Sequence, residues 1–473
     1  MSASPKTANV LSFIPAAEHA GIRAGTSAYD CTGDIQAAID SASKVLVPAG
    51  VYPVRQLSLK SDLEFYGEGA TSELRAYDNS LACEFMLVTY VRDEGTPNVA
   101  DNMRNIQVHD LKLNGRVSEF GYMQYFYLFA VNATSDLTVE RVVFYGFRGD
   151  GMYVGSGTLK NAERHNQRVV VRDCMFDGAI KDNRNGLSII DCDKLTVSGC
   201  TFTNIGNSKL SHSVGAIDFE PDHNWSVYRD VVISHCQFIN IDTVNTAGVT
   251  FFNGHQTGDN IHNWLVSECQ FTNCYWSIYA ATKPKRPEDV PDNLKVLNCH
   301  FLNSVRFDIN LGGLSHTQIS ACTFERSPPG SGPGGDSIRL GAFTWQTSKN
   351  ALNTVITGNT FIGIRPQMGA IGVYGAIGMV CAGNTFIDIY GPCFSFAEDK
   401  SPDDARVIDN VIISGNKAAR PHTAPMSFLG TSNQMRVVKG NSTFEASYNY
   451  NNDIQGGVTE VEDAADIQFL GAK

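Results

Sequence analysis

The sequence predicts an all-β solenoid, a single-stranded right-handed parallel β-helix of about twelve coils with an N-terminal capping helix. Three features predict it. One short segment recurs twelve times between residues 103 and 444, at spacings of 23 to 37 residues, and periods of this size mean a solenoid or an array. The segment is rich in β-branched residues and alternates with a period of two, which is the pattern of a strand. Three short strands with their turns need roughly 22 residues at about 3.3 Å per residue, close to the shortest spacing present.

Taken in order, residues 1–55 form an entry segment and cap, 56–444 the β-helix with its groove, and 445–473 a C-terminal cap or tail. A solenoid must be closed, because an open end exposes unpaired backbone and apolar side chains. In YDCTGDIQAAIDSASKVLVPAGVYPV, Thr32 is placed as the N-cap of a short amphipathic helix, with Ile35 and Ile39 four apart on one face. VLVPAGVYPV then begins the first coil strands.

The repeat itself carries six cysteines in one frame, each three residues after a β-branched residue and two before a phenylalanine. They are Cys174, Cys200, Cys236, Cys269, Cys299 and Cys322, followed by Phe176, Phe202, Phe238, Phe271, Phe301 and Phe324. Asn359, Asn384, Asn416 and Asn441 continue the frame, and Leu111 and Val142 precede it. Stacked coils place like residues in interior columns, so the phenylalanines form a core stack. The Cys/Asn column is expected to be inward, small and unbridged, with buried thiols acting as small hydrophobes. His235 and His300, beside column cysteines, are expected to face outward. No C-x-x-C pair or Cys/His cluster suggests zinc, and no metal or cofactor is expected.

The opening, VLSFIPAAEHAGIRAGTSAYDCTGDIQAAIDSA (residues 10–42), resembles the entry segment of bacteriophage tailspikes and capsule or O-antigen depolymerases. DIQAAID followed by a strand ending PAGVY resembles the wider pectin-lyase-like superfamily. The resemblance implies a polysaccharide-degrading β-helix, a bacterial surface polysaccharide as partner, a homotrimer, and a place in a virion tail if the chain is phage-derived.

Charge narrows the partners. With 37 basic and 49 acidic residues, net −12, the chain lacks the basic face a nucleic-acid binder needs. No apolar run approaches the roughly 20 residues that span a bilayer, so membrane insertion is not expected. The N-terminus lacks the basic-then-apolar pattern of a secretory signal, and synthesis and folding in a cytoplasm are expected.

Function must be read from a surface. Before each Phe/Cys strand lies another, and period-two alternation turns one set of its side chains outward. In GAIDFEPDH these are Asp218 and Glu220; neighbouring coils add Tyr153, Ser188, Thr250, Phe252, Tyr279, Asp308, Asn310 and Arg339. A merely wet face would carry Thr, Ser, Lys and Glu, whereas aromatic faces beside hydrogen-bonding groups suit sugar rings. Asp218 and Glu220 sit roughly 6.6 Å apart along one strand. That suits an acid and a base in an inverting glycosidase, whose carboxyl groups stand about 6.5–9.5 Å apart. Any D-x-E on a strand has that spacing, so Asp191, Asp222 and His223 are held as further candidates.

Two other readings stay open. EPDH (220–223) looks a little like the acid/His stretch of mannuronan epimerases, which share this fold. A lyase or epimerase also needs a cation against the substrate carboxylate, which Lys283, Lys285 or Arg286 could supply. A non-catalytic receptor-binding spike would present the same groove.

Overall fold

The computed structural model describes residues 7–79, 85–89, 103–155, 164–210, 214–253, 260–282, 290–331, 334–341, 350–397, 408–420, 422–423, 426–429, 437–439, 443–444 and 451–452. The chain divides into two compact units, residues 1–237 and 238–473. Both are built from coils of three short strands, and the described pairings between successive coils are parallel.

In the first unit, Thr7–Asn9 pairs with Lys44–Val47, which pairs in turn with Leu63–Gly67 and then Met103–Asn114. Met103–Asn114 and Thr134–Tyr145 are long strands that bend to serve two sides of their coils. Later coils split that element, as in Gln167–Arg172 and Met175–Asp177. The third side stacks Phe85–Val88, Tyr127–Asn132, Met152–Gly155, Leu187–Ile189 and Val214–Phe219. In the second unit that side runs from Thr246–Asn253 through Trp276–Thr282, Phe307–Gly312, Ile338–Leu340, Ile371–Val373 and Phe394–Ala397.

The interior columns are those the repeat predicts. Phe144, Phe176 and Phe202 stack with ring centroids 4.4 and 4.7 Å apart and planes within 7°. Phe238, Phe271, Phe301, Phe324, Phe361 and Phe386 do the same in the second unit at 4.5–5.0 Å. All six column cysteines are buried and unbridged. Their thiols bond backward: Cys174 Sγ donates to Val139 O, Cys200 to Val171 O and Cys322 to Val296 O, each at 3.6 Å.

Asparagine occupies the column by doing the same job more fully. Asn359, Asn384 and Asn416 donate Nδ2–H to the carbonyls of Ile319, Ile356 and Cys381, each at 3.0 Å. Their Oδ1 atoms accept the backbone N–H of Cys322, Asn359 and Asn384. Asn441 lies outside the described residues.

The residue before each column position is a corner in the left-handed region. Asp173, Gly199 and His235 in the first unit, and Glu268, Asn298, Ala321, Gly358, Gly383 and Gly415 in the second, have φ between 53° and 65°. One such residue turns the chain sharply, at a cost that glycine avoids and asparagine or aspartate reduces. His235 is exposed as expected, and His300 is half-buried, 3.4 Å from Glu325. Other corners carry ion pairs along the outside, such as Arg141 forked on Asp110 and Arg168 on Asp136.

The capping helix spans Thr32–Ser41 with Ile35, Ala38 and Ile39 fully buried. Thr32 is its first turn and not its N-cap. That position is Cys31, and Asp30 does the capping work, accepting the Thr32 N–H at 3.1 Å and the Thr32 hydroxyl. Thr32 Oγ1 instead accepts the Arg55 N–H at 2.8 Å, tying the cap to the first coil.

Candidate active site

The third side of each coil carries the strip picked out from the sequence. In the first unit the register aligns Val88, Ala130, Tyr153, Ser188 and Asp218 in one column. In the second it aligns Thr250, Tyr279, Asn310, Arg339, Gly372 and Ser395. The alternation is therefore as expected, with Ile217 and Phe219 in the core.

The degree of wetness is not as expected. Asp218 is 2% exposed, Ser188, Thr250 and Asp308 are fully buried, and Asn310 and Tyr279 are 2% and 6% exposed. In the second unit Tyr279 is covered by the strand residues Trp276 and Phe307 and Asp308 by Arg326, and in the first unit side chains from the turns fold across this face. Asp150 and Arg184, from the turns preceding two of its strands, reach over Ser188 and toward Glu220. The Phe252 side chain and Lys283, Lys285 and Arg286 lie outside the described residues.

Arg184 organises the first unit's strip. One arm donates to Asp150 at 3.2 Å and the other to Glu220. Burial works to lower its pKa, but Asp150, Glu220 and Asp218 together outweigh this and hold the guanidinium charged. Asp150 is fully buried. It also accepts the Asn185 N–H at 3.1 Å and the Ser188 hydroxyl at 2.8 Å, and burial pushes its pKa up. It is an anchor. Glu220, just past Val214–Phe219, keeps 43% of its side chain exposed.

The loop after Glu220 reaches solvent. Asp222, His223 and Asn224 are exposed, and the His223 ring stacks on Trp225 at 4.5 Å and 16°. Asp222 Oδ2 accepts from the Tyr153 hydroxyl at 3.5 Å, a long bond. Its outer side is wet, while its inner side is shielded by protein; that shielding, reinforced by the charge of Glu220, raises its pKa. Tyr153, half-buried, stacks on Tyr127 at 4.6 Å and 5°, and Tyr127 and Phe85 are buried behind it.

Asp191 is otherwise engaged. Oδ1 accepts the Val227 N–H at 2.8 Å and faces His165 Nδ1 at 2.9 Å, and Oδ2 accepts the Asn166 N–H at 3.1 Å. It is fully buried and locks a turn.

The second unit's strip is closed. Asp308 is gripped by both arms of Arg326 at 3.3 and 3.1 Å, and both residues are buried. Arg339 donates to the Tyr374 hydroxyl at 2.6 Å and lies over the Phe307 and Tyr374 rings. Trp276, Tyr279 and Phe307 form a buried cluster with Ala247. Trp276 Nε1, Asn310 Oδ1 and Ser395 Oγ are buried without a hydrogen-bond partner.

Asp150, Arg184 and Trp225 were not legible as site residues, because they lie in turns that carry no alternation, and Tyr127 because it opens a strand whose every residue is buried. A usable signal existed: GDGMYVG (149–155) recurs as GDSIRLG (335–341), with the aspartate two residues before the first inward side chain.

Among known structures, the N-terminal fragment of bacteriophage phi29 gene product 12 superposes with a TM-score of 0.70 at 14% identity, covering 95% of this chain and 72% of that one. The chain shares the β-helix fold of phage tail proteins. Bacteriophage CBA120 tailspike protein 3 superposes with a TM-score of 0.56 at 12% identity over 98% of this chain and 62% of that one. Pre-mature phi29 gene product 12 gives 0.66 at 14% identity, with 95% of this chain and 57% of that one covered. The chain thus spans less than two thirds of those last two proteins. No family model and no curated protein matches the sequence. Among the described residues there is no cluster of metal-ligating side chains and no helix long and apolar enough to cross a membrane.

Proposed function

We propose that the chain binds and cleaves a bacterial surface polysaccharide by hydrolysis, on the outer strip of residues 1–237. The supporting observation is that two carboxylates reaching solvent, Glu220 and Asp222, stand on one loop between the charged Arg184 and a ring surface. The rings are Tyr153, backed by buried Tyr127, and His223 on Trp225. Sugar binding needs such apolar faces beside hydrogen-bonding groups.

The environments of the two acids differ, which separates their roles. Asp222, with its raised pKa, keeps its proton longer and donates it to the glycosidic oxygen as the C–O bond breaks. Glu220, ion-paired to Arg184, is the carboxylate that takes a proton from water as it adds to the anomeric carbon. Asp218, buried against Arg184's field, supports the charge of that guanidinium. Tyr279, Asn310 and Arg339 serve the second unit's own strip, with Thr250 beside Tyr279 in register.

The likeness to a tailspike supports two further parts of this reading: a place in a virion tail and a homotrimer, which light scattering should report. Incubation with capsular and O-antigen polysaccharides tests the chemistry. New reducing ends without absorbance near 235 nm mean hydrolysis. Absorbance there means a lyase, and tight binding to a cleavable polysaccharide without turnover means a receptor-binding spike.

A further inference from the structure

The charge of the first unit's strip carries a statement about what kind of glycan fits it. Four carboxylates, Asp150, Asp218, Glu220 and Asp222, surround one guanidinium. Both arms of Arg184 are already engaged by carboxylates, and its Nε is buried without a partner. Of two neighbouring described cations, one is held by carbonyls alone and the other by a carboxylate. Arg148, two residues before Asp150, donates to the carbonyls of Gly121 and Phe120, and Lys209 pairs with Asp182.

A sugar carboxylate entering here meets two solvent-facing acids and a cation whose charge is already answered. To reach Arg184 it must displace Glu220 or pack against it, and both put like charges together. The aromatic faces of Tyr153 and Trp225 carry no charge requirement and accept any sugar with an exposed C–H face. Eliminating a uronate also needs an uncommitted cation at its carboxylate to acidify the neighbouring proton, and Arg184 is not uncommitted.

We infer that this strip selects an uncharged sugar at the position beside Glu220 and Asp222, and disfavours uronates and other carboxylated residues there. This rests on the saccharide-binding reading above and narrows it. At low salt the preference for a neutral over a carboxylated residue should be roughly 5- to 30-fold in affinity, the range a unit charge gives at about 8–16 Å and an effective dielectric of about 20. It should shrink as salt screens the strip.

The test uses matched polymers. Each acidic capsular polysaccharide is compared with its own carboxyl-reduced form, made by carbodiimide activation and borohydride reduction, and neutral O-antigens are included. Binding is measured at 10 and 150 mM salt. The expected result is tighter binding of reduced and neutral forms, a gap that narrows at the higher salt, and a narrower gap again in Glu220→Gln, which removes one repelling charge and frees an arm of Arg184. Equal binding of both forms, or binding lost on carboxyl reduction, overturns the inference and leaves saccharide binding standing. Binding of no polymer in either form overturns saccharide binding itself, and this inference with it.

Discussion

The outer strips of the two units are made of the same parts put to different ends. In the first, Arg184 is anchored on buried Asp150 and extends its other arm to Glu220, a carboxylate that reaches solvent. In the second, Arg326 closes both arms on Asp308, and Arg339 is covered by Phe307 and Tyr374. GDGMYVG and GDSIRLG even supply their aspartates from the same register position. Asp150 braces Asn185 and Asp336 braces Met368, in each case the backbone of a later turn. The difference teaches that a buried ion pair on such a face can present a charged group to solvent only when it has an arm left over for one. A fully closed pair is scaffolding.

The strongest way to break this comparison is to strike the open strip. Asp222→Asn and Glu220→Gln should each lower turnover by about 10²–10⁴ with the melting temperature unchanged, because both side chains reach solvent. As the acid, Asp222 must be protonated to act. Turnover should therefore fall as pH rises past its raised pKa, and that limb should vanish from whatever activity Asp222→Asn retains. A melting temperature that falls along with turnover would move Glu220 and Asp222 to the scaffolding side.

The closed strip should answer oppositely. Asp308→Asn or Arg326→Met leaves one buried charge uncompensated and should cost about 3–5 kcal/mol in stability, read from denaturant midpoints. The double variant Asp308→Leu/Arg326→Met should recover much of this, and first-unit turnover should not change. Stability within 1 kcal/mol of the parent in both single variants would show that the pair is not closed.

A smaller effect sharpens the comparison inside the coils. Asn384→Ala strands a buried backbone N–H and a carbonyl, and should cost about 2–3 kcal/mol. Cys322→Ala loses one weak sulfur bond and a little volume, and should cost nearer 1 kcal/mol. Equal losses would mean that the column works by packing alone.

The smallest effect concerns the outside corners. Arg141 holds Asp110 at a pKa of about 2, well below the ordinary carboxylate value. Because the folded value lies below the unfolded one, this stability is present above about pH 4 and is lost as pH falls through about 2. The pair is partly exposed and screened, so Asp110→Asn should cost no more than about 1 kcal/mol.

The coils, the phenylalanine stack and the unbridged Cys/Asn column were all readable from spacing, because interior columns impose a period that mutation must respect. The strip's register was readable for the same reason. Its burial was not: alternation tells which way Asp218 points, while Arg184 and Asp150 lie in turns outside the alternating segments. Thr32 was misplaced by one residue, since Asp30 offers an equally good oxygen and the sequence does not say which one the helix uses. The corners before the column, with residues as different as Gly415, Glu268 and Ala321, gave no uniform letter to find.

The column bonds also have a direction. Cys174, Cys200 and Cys322 donate to carbonyls of the N-terminal neighbour, as do Asn359, Asn384 and Asn416, and each of these asparagines also accepts an N–H from that side, while Asn359 and Asn384 pass a second amide N–H forward to the next asparagine. For the bonds to carbonyls, a ribosome releases the acceptor before the donor. Each coil, once made, finds its partner carbonyl already set in the turn laid down before it, and needs nothing still unsynthesised to complete that bond. The wall can be laid one course at a time during translation, and a chain stopped between coils leaves a seated last course.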